Sequence, residues 1–140
     1  MLCSRREGLL AFLAALPSVG LAAEKAALPS KAYPFEDLRV ERSGDNSFRP
    51  VLEGLTHSGC QIEIHETDLA PGGRPHPPHH HLHEEMFLIR DGTLEVTING
   101  RSTKLGPGSV AFVASNDQHG IRNAGDTQAQ YFVIGLGTDR

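Results

Sequence analysis

Five of the chain's eight histidines, His76, His79, His80, His81 and His83, fall within one short stretch, and Glu85 follows two residues later. His119 lies far downstream. Imidazole nitrogens and carboxylate oxygens are donors that first-row divalent ions accept. A solvated His-rich loop that binds ions loosely is the plainer alternative. Spacing favours a built site. On an extended strand residues two apart point the same way, so His79, His81, His83, Glu85 and Phe87 are expected to share one face. Three imidazoles and a carboxylate turned into one cavity are costly if left unpaired. One divalent transition ion resolves that cost, with His119 as a distant ligand that ties a second strand to the first. The candidate ligands on that face are His79, His81, His83 and Glu85, with His119 joining them from a distance. Mixed nitrogen and oxygen ligation suits Fe, Mn, Ni, Cu or Zn without choosing among them.

Strands must carry these side chains, and strand signals become dense from Val51 onward. Ile62 and Ile64 alternate with polar residues before Pro71-Gly72-Gly73. Met86–Ile89 is apolar and ends at Asp91-Gly92. Leu94, Val96 and Ile98 alternate with Thr93, Glu95 and Thr97 up to Asn99-Gly100, a hairpin signal. Apolar runs Val110–Val113 and Tyr131–Ile134 follow further Gly-containing turns. Short strands at regular intervals predict an all-β sandwich or barrel over residues 51–140. Phe87, Ile89, Phe112, Tyr131 and Phe132 are expected in its core. Residues 24–50 show little periodicity and read as an extended N-terminal arm, with Tyr33, Phe35 and Leu38 available to pack on the domain. His57 and His65 read as surface residues.

Residues 1–23 stand apart. Arg5 and Arg6 precede an apolar run from Gly8 to Ala23, and Ala22 and Ala23 offer small residues for cleavage. That is the pattern of a secretory signal, and the run is short for a membrane span of ~20 residues. Ser4-Arg5-Arg6-Glu7-Gly8-Leu9 resembles a twin-arginine export signal, which implies a periplasmic product with no membrane contact after processing. Cys60 is then the single cysteine of the mature chain, so no intramolecular disulfide is expected. A formal net charge of -4 and the absence of a basic patch exclude nucleic acid as a partner.

The histidine spacing resembles the cupin family. Gly73-x5-His79-x-His81-x3-Glu85-x6-Gly92 matches the first cupin motif at every fixed position. The second motif reads Gly108-x5-Ala114-x-Asn116-x2-His119-x3-Asn123. Ala114 and Asn116 stand where the family usually has Pro and Gly, so a differently shaped turn is expected there. The resemblance implies a double-stranded β-helix, the jelly-roll barrel, with a metal held in its mouth by His79, His81, Glu85 and His119. It also implies that Gly73 and Gly92 are turn glycines and that Asn123 is a structural hydrogen-bonding residue. His83 has the parity of a ligand, but the family motif leaves that position free. His76, His80 and His83 therefore read as residues around the site.

Four protein ligands on an ion that accepts six leave two positions for a chelating substrate, or for substrate and dioxygen. Glu85 is the candidate catalytic residue, a carboxylate that can loosen to accept a proton. The leading expectation is a metal-dependent enzyme, a dioxygenase or isomerase, for a small enolic, phenolic or hydroxy-acid compound. A barrel that binds or senses a small ligand without turnover is the alternative, and a homodimer is compatible with either.

Overall fold

The computed structural model describes residues 26–139. The expected export signal over residues 1–23 lies outside the described residues. Nine strands are present among the described residues: β1 (Glu41–Ser43), β2 (Asn46–Leu55), β3 (Gln61–Leu69), β4 (Glu84–Asp91), β5 (Leu94–Ile98), β6 (Arg101–Leu105), β7 (Val110–Val113), β8 (His119–Asn123) and β9 (Ala129–Leu136). Helix in the same span amounts to one 3-10 turn, Phe35–Asp37.

The strands form two antiparallel sheets, a six-stranded one ordered β1-β2-β3-β9-β4-β7 and a three-stranded one ordered β6-β5-β8. β9 lies between β3 and β4, and β8 pairs with β5, so strands distant in sequence become neighbours. This is the jelly-roll arrangement expected from the sequence. Alternation does the positioning: Ala129, Tyr131 and Val133 on β9 are buried while the residues between them are half-buried. Leu69, Phe87 and Tyr131 from the large sheet meet Leu94, Val96 and Ile121 from the small one in a shared core.

Two turns show why their residues are needed. Asn99 and Gly100 take φ of 47° and 80°, the positive values that a two-residue hairpin between β5 and β6 requires. Gly92 has φ of 76°, and a Cβ there would lie 2.7 Å from the Ala129 Cα, so any side chain would push β9 away.

Strand structure begins earlier than the sequence suggests. β1 and the first half of β2 fall inside the segment read as an extended arm. Pro50 hid β2, because proline interrupts a ladder; the pairing accommodates it with a register shift between Pro50 and Leu52. The rest of the arm lies on the large sheet. The Leu28 N–H donates to the Leu55 carbonyl at 2.8 Å. Phe35 sits between the Arg49 and Arg90 guanidiniums, 4.9 and 4.3 Å from its ring centre. Phe112, expected in the core, is instead 51% exposed. It pairs with Met86 on the outer face, one residue out of phase with buried Val113.

Candidate metal centre

A backbone bridge joins the two halves of the site. His79 N–H donates to the His119 carbonyl at 3.0 Å, and His119 N–H returns to the His79 carbonyl at 2.8 Å. Two residues on, the His81 carbonyl accepts the Asn116 N–H at 2.8 Å. Asn116 has φ of 65°, so it keeps the left-handed conformation that glycine adopts readily and asparagine tolerates. The Asp139 carboxylate accepts the Leu82 and His83 N–H groups at 3.0 and 3.2 Å. His79, His81 and His83 therefore ride on a pinned loop, while His119 opens β8. β4 starts at Glu84, so the shared-face argument holds for Glu85 and Phe87 alone.

The loop still brings the histidines together. One ring nitrogen each from His79, His81 and His119 lies within 4.8 Å of the other two. Second hydrogen bonds fix two of the tautomers. His119 Nδ1–H donates to the Asp117 carbonyl at 2.9 Å, and His81 Nδ1–H donates to the His83 carbonyl at 2.8 Å. In its neutral form each ring then presents the Nε2 lone pair. His81 Nε2 is buried with no hydrogen-bond partner, as is His79 Nδ1. His119 Nε2 faces Glu85 Oε2 at 3.2 Å, and His81 Nε2 lies 3.5 Å from Glu85 Oε1. A bare lone pair against a carboxylate is repulsive; a cation between them makes both favourable. Burial, reinforced by His76, His119 and His81, holds His79 below the ordinary imidazole value and so keeps it neutral, the form that binds metal. The donors fit one divalent ion, with Glu85 approaching the triad from the His119 and His81 side.

The neighbouring histidines divide by role. His83 stacks flat on His81, ring centres 3.5 Å apart, with Nδ1 2.9 Å from Asp139 and Nε2 3.3 Å from Glu85. It braces the ligands. His76 meets His79 edge-on at 4.2 Å, while His80 and His57 are exposed.

His65 departs from the sequence reading. The Ile62/Ile64 alternation suggests that those isoleucines face the interior, which would put Glu63 and His65 outside. Register shows the reverse. Glu63 pairs with Gly135, which pairs with Glu85; His65 pairs with Val133, which pairs with Phe87. Glu63 and His65 thus share the inner face, and the isoleucines lie under the N-terminal arm's side of the sheet. His65 Nδ1 lies 2.7 Å from Glu63 Oε1, and its ring packs at 4.6 Å against Phe48.

A cavity of about 420 Å³ opens beside the centre. Glu85 and His119 form one side, Phe87, Ile121, Tyr131 and Val133 the apolar wall, and His65 another part of the lining. Burial pushes the Tyr131 phenol well above its ordinary value, so it stays protonated, bonded to Thr67. Asn123 is fully buried and donates to the Leu69 and Thr127 carbonyls at 2.8 and 2.7 Å, the structural part expected of it.

The cupin-domain family model matches residues 65–135. L-ectoine synthase of Bordetella petrii is 35% identical over 66 residues, 46% of this chain and 50% of that protein. The chain spans about half the length of the curated relatives it matches. Among solved structures, an RmlC-like cupin from Shewanella frigidimarina aligns with a TM-score of 0.63 at 19% identity, over 78% of this chain and 93% of that one. The polyketide cyclase RemF from Streptomyces resistomycificus also gives 0.63, at 18% identity, over 79% and 81%. At such identities these two structures speak for the fold alone.

Proposed function

The chain belongs to the cupin family, and from that premise we propose a metal-dependent enzyme, oxygenase-type, acting on a small enolic, phenolic or hydroxy-acid compound. One observation carries the reading. The Nε2 atoms of His81 and His119 converge on Glu85, and Glu85 and His119 border a cavity sized for a small molecule. His79, His81, Glu85 and His119 would hold the ion. When bound, it supplies Lewis acidity toward an enolate, phenolate or hydroxy-acid oxygen.

The protein's own groups do the rest. Asp117, His83 and Asn116 fix the tautomers and the loop, so the donors are oriented before any ligand arrives. Phe87, Ile121 and Val133 keep water from the substrate's apolar body and leave polar contacts to the metal side. Glu85, with Oε1 toward His81 and His83 and Oε2 toward His119, is placed to accept a substrate proton. The 35% identity to a synthase supports an enzyme over a bare scaffold.

The test is metal analysis of protein purified without a His-tag, followed by oxygen-electrode assays of the metal-loaded form with catechols, enols and hydroxy acids. The expected results are about one ion per chain and substrate-dependent dioxygen uptake that ends on chelation. Stoichiometric metal with neither uptake nor product from any of these classes would sink the enzyme reading. Absence of bound metal would sink the metal centre itself.

A further inference from the structure

We propose that His65, oriented by Glu63, is a second catalytic residue, one that takes the proton from a substrate hydroxyl at the side of the cavity away from His119 and Glu85. The inference rests on the metal-dependent reading and narrows it. The substrate carries an ionisable hydroxyl in addition to the oxygen function taken at the metal centre.

Three observations carry it. First, His65 and Glu63 form a carboxylate–imidazole pair at 2.7 Å, with Nδ1–H donating to the carboxylate, which leaves Nε2 as the ring's basic nitrogen. Second, His65 lines the cavity whereas Glu63 does not, so the imidazole is the member of the pair within reach of a bound molecule. Third, His65 on β3 and Glu85 on β4 border the same cavity with β9 between them, His65 lying one inward-facing position further along, in the Val133–Phe87 row. The cavity they share, about 420 Å³, accommodates one small ring. Phe48 packs against the imidazole and holds its plane.

The step is a plain proton transfer. The substrate O–H bond breaks, its electron pair stays on oxygen, and the proton goes to His65 Nε2. Glu63 offsets the imidazolium charge. Reversal returns the proton to product. Glu63 touches no substrate and is a positioning residue. The other ionisable groups bordering the cavity are Glu41, Arg42, His76, Glu85, His119 and Tyr131. Glu41 is engaged by Arg39, and the Tyr131 hydroxyl by Thr67.

The experiment uses zinc-loaded full chain, redox-inert, and 4-hydroxy-3-nitrobenzoate as probe. This hydroxy acid offers a carboxylate to the metal and a phenol whose ionisation is read as a yellow colour. Bound to wild type, the phenol is expected to ionise roughly one pH unit lower than in free solution, a tenfold effect. His65→Gln should abolish that displacement and weaken binding about tenfold, with zinc content unchanged. Glu63→Gln should give an intermediate colour shift, and exposed His57→Gln should match wild type. If His65→Gln folds poorly, the Glu63→Gln colour shift decides, because that variant leaves the ring in place. Stoichiometric zinc with equal colour change and affinity in wild type, His65→Gln and Glu63→Gln would overturn the inference and leave the metal reading standing. So would zinc-loaded wild type that ignores the probe. Failure of wild type to hold zinc would overturn both.

Discussion

Arg49 Nη1 serves two buried carboxylates at once, Glu66 Oε2 at 2.6 Å and Asp68 Oδ2 at 2.5 Å, on the sheet face opposite His65. One positive charge faces two carboxylates, and Glu66 also lies in hydrogen-bond contact with Asp68. Burial pushes Glu66 up to about 7, against the pull of Arg49. Asp68 goes the other way: burial raises it, but hydrogen bonds from Ser47 and Arg49 bring it below its ordinary value. The folded protein therefore binds the Glu66 proton more tightly than the unfolded chain, whose value stays near 4.5. Protonation of Glu66 is stabilising, so its ionisation weakens the fold progressively as pH rises from 4.5 toward 7. Glu66→Gln mimics the protonated form. It should melt roughly 4 °C higher than wild type at pH 8, the shift of about 1 kcal/mol in a domain of this size. The difference should vanish near pH 5, and a constant offset across that range would refute the assignment. At the metal centre, replacing His81 or His119 by Ala removes one converging Nε2. Bound ion should fall below roughly a tenth per chain, while exposed His80→Ala retains it, as measured by elemental analysis.

The element that matters most is the loop from His79 to His83, and its order is borrowed from neighbours. Asn116 in the turn before β8 donates to His81, and Asp139 after β9 receives Leu82 and His83. Asn116→Val puts a β-branched residue at a φ of 65°, a strain of about 1–2 kcal/mol. It should lower the melting temperature and weaken zinc binding about tenfold by displacing His81; Asn116→Gly should behave as wild type in both. Equal zinc affinity in the valine and glycine variants would show that the turn does not position the ligand. This dependence also explains what was legible in the sequence. The Asn99-Gly100 hairpin and the alternation of Leu94, Val96 and Ile98 on β5 announce themselves, because local turn chemistry and a two-residue period act within a few residues. The triad was legible because motif spacing survives even where the strand argument for it does not hold. His65 was hidden because the apolar residues of β3 change face along the strand: Ile62 and Ile64 mark the arm side, and Leu69 the cavity side. Only pairing with β9 decides which is inner. β2 was hidden by Pro50 and Gly54, whose local preferences oppose a strand that the whole ladder to β3 imposes.

At the scale of the whole molecule, the arm from residue 26 onward lies on the large sheet. We propose that residues 1–23 direct export and are removed near Ala22 or Ala23, while the following arm stays on the barrel. The docking points bear on the arm alone. Leu28 donates to Leu55 and crosses the sheet over Gly54, where a Cβ would come within 2.8 Å of the Leu28 side chain. Phe35 then closes over Arg49, covering the guanidinium that holds Glu66 and Asp68. A cut before residue 24 spares every one of these contacts, whereas a cut after Asp37 removes them and opens the buried carboxylate cluster to water. Expressed with its own N-terminus in a Gram-negative host, the protein should appear in the periplasm, beginning near residue 23 or 24 by N-terminal sequencing. Arg5→Lys with Arg6→Lys should block that appearance if the route is the twin-arginine one, and undiminished export would assign it to the general secretory path. A cytoplasmic product that retains Met1 would defeat export altogether. Chain starting at residue 24 should melt with the processed protein, and chain starting at residue 38 several degrees lower, by about 4 °C per kcal/mol lost. Gly54→Ala, which lifts Leu28 alone, should fall between the two. Coincident melting of all three would mean that the arm lies on the sheet without contributing to its stability.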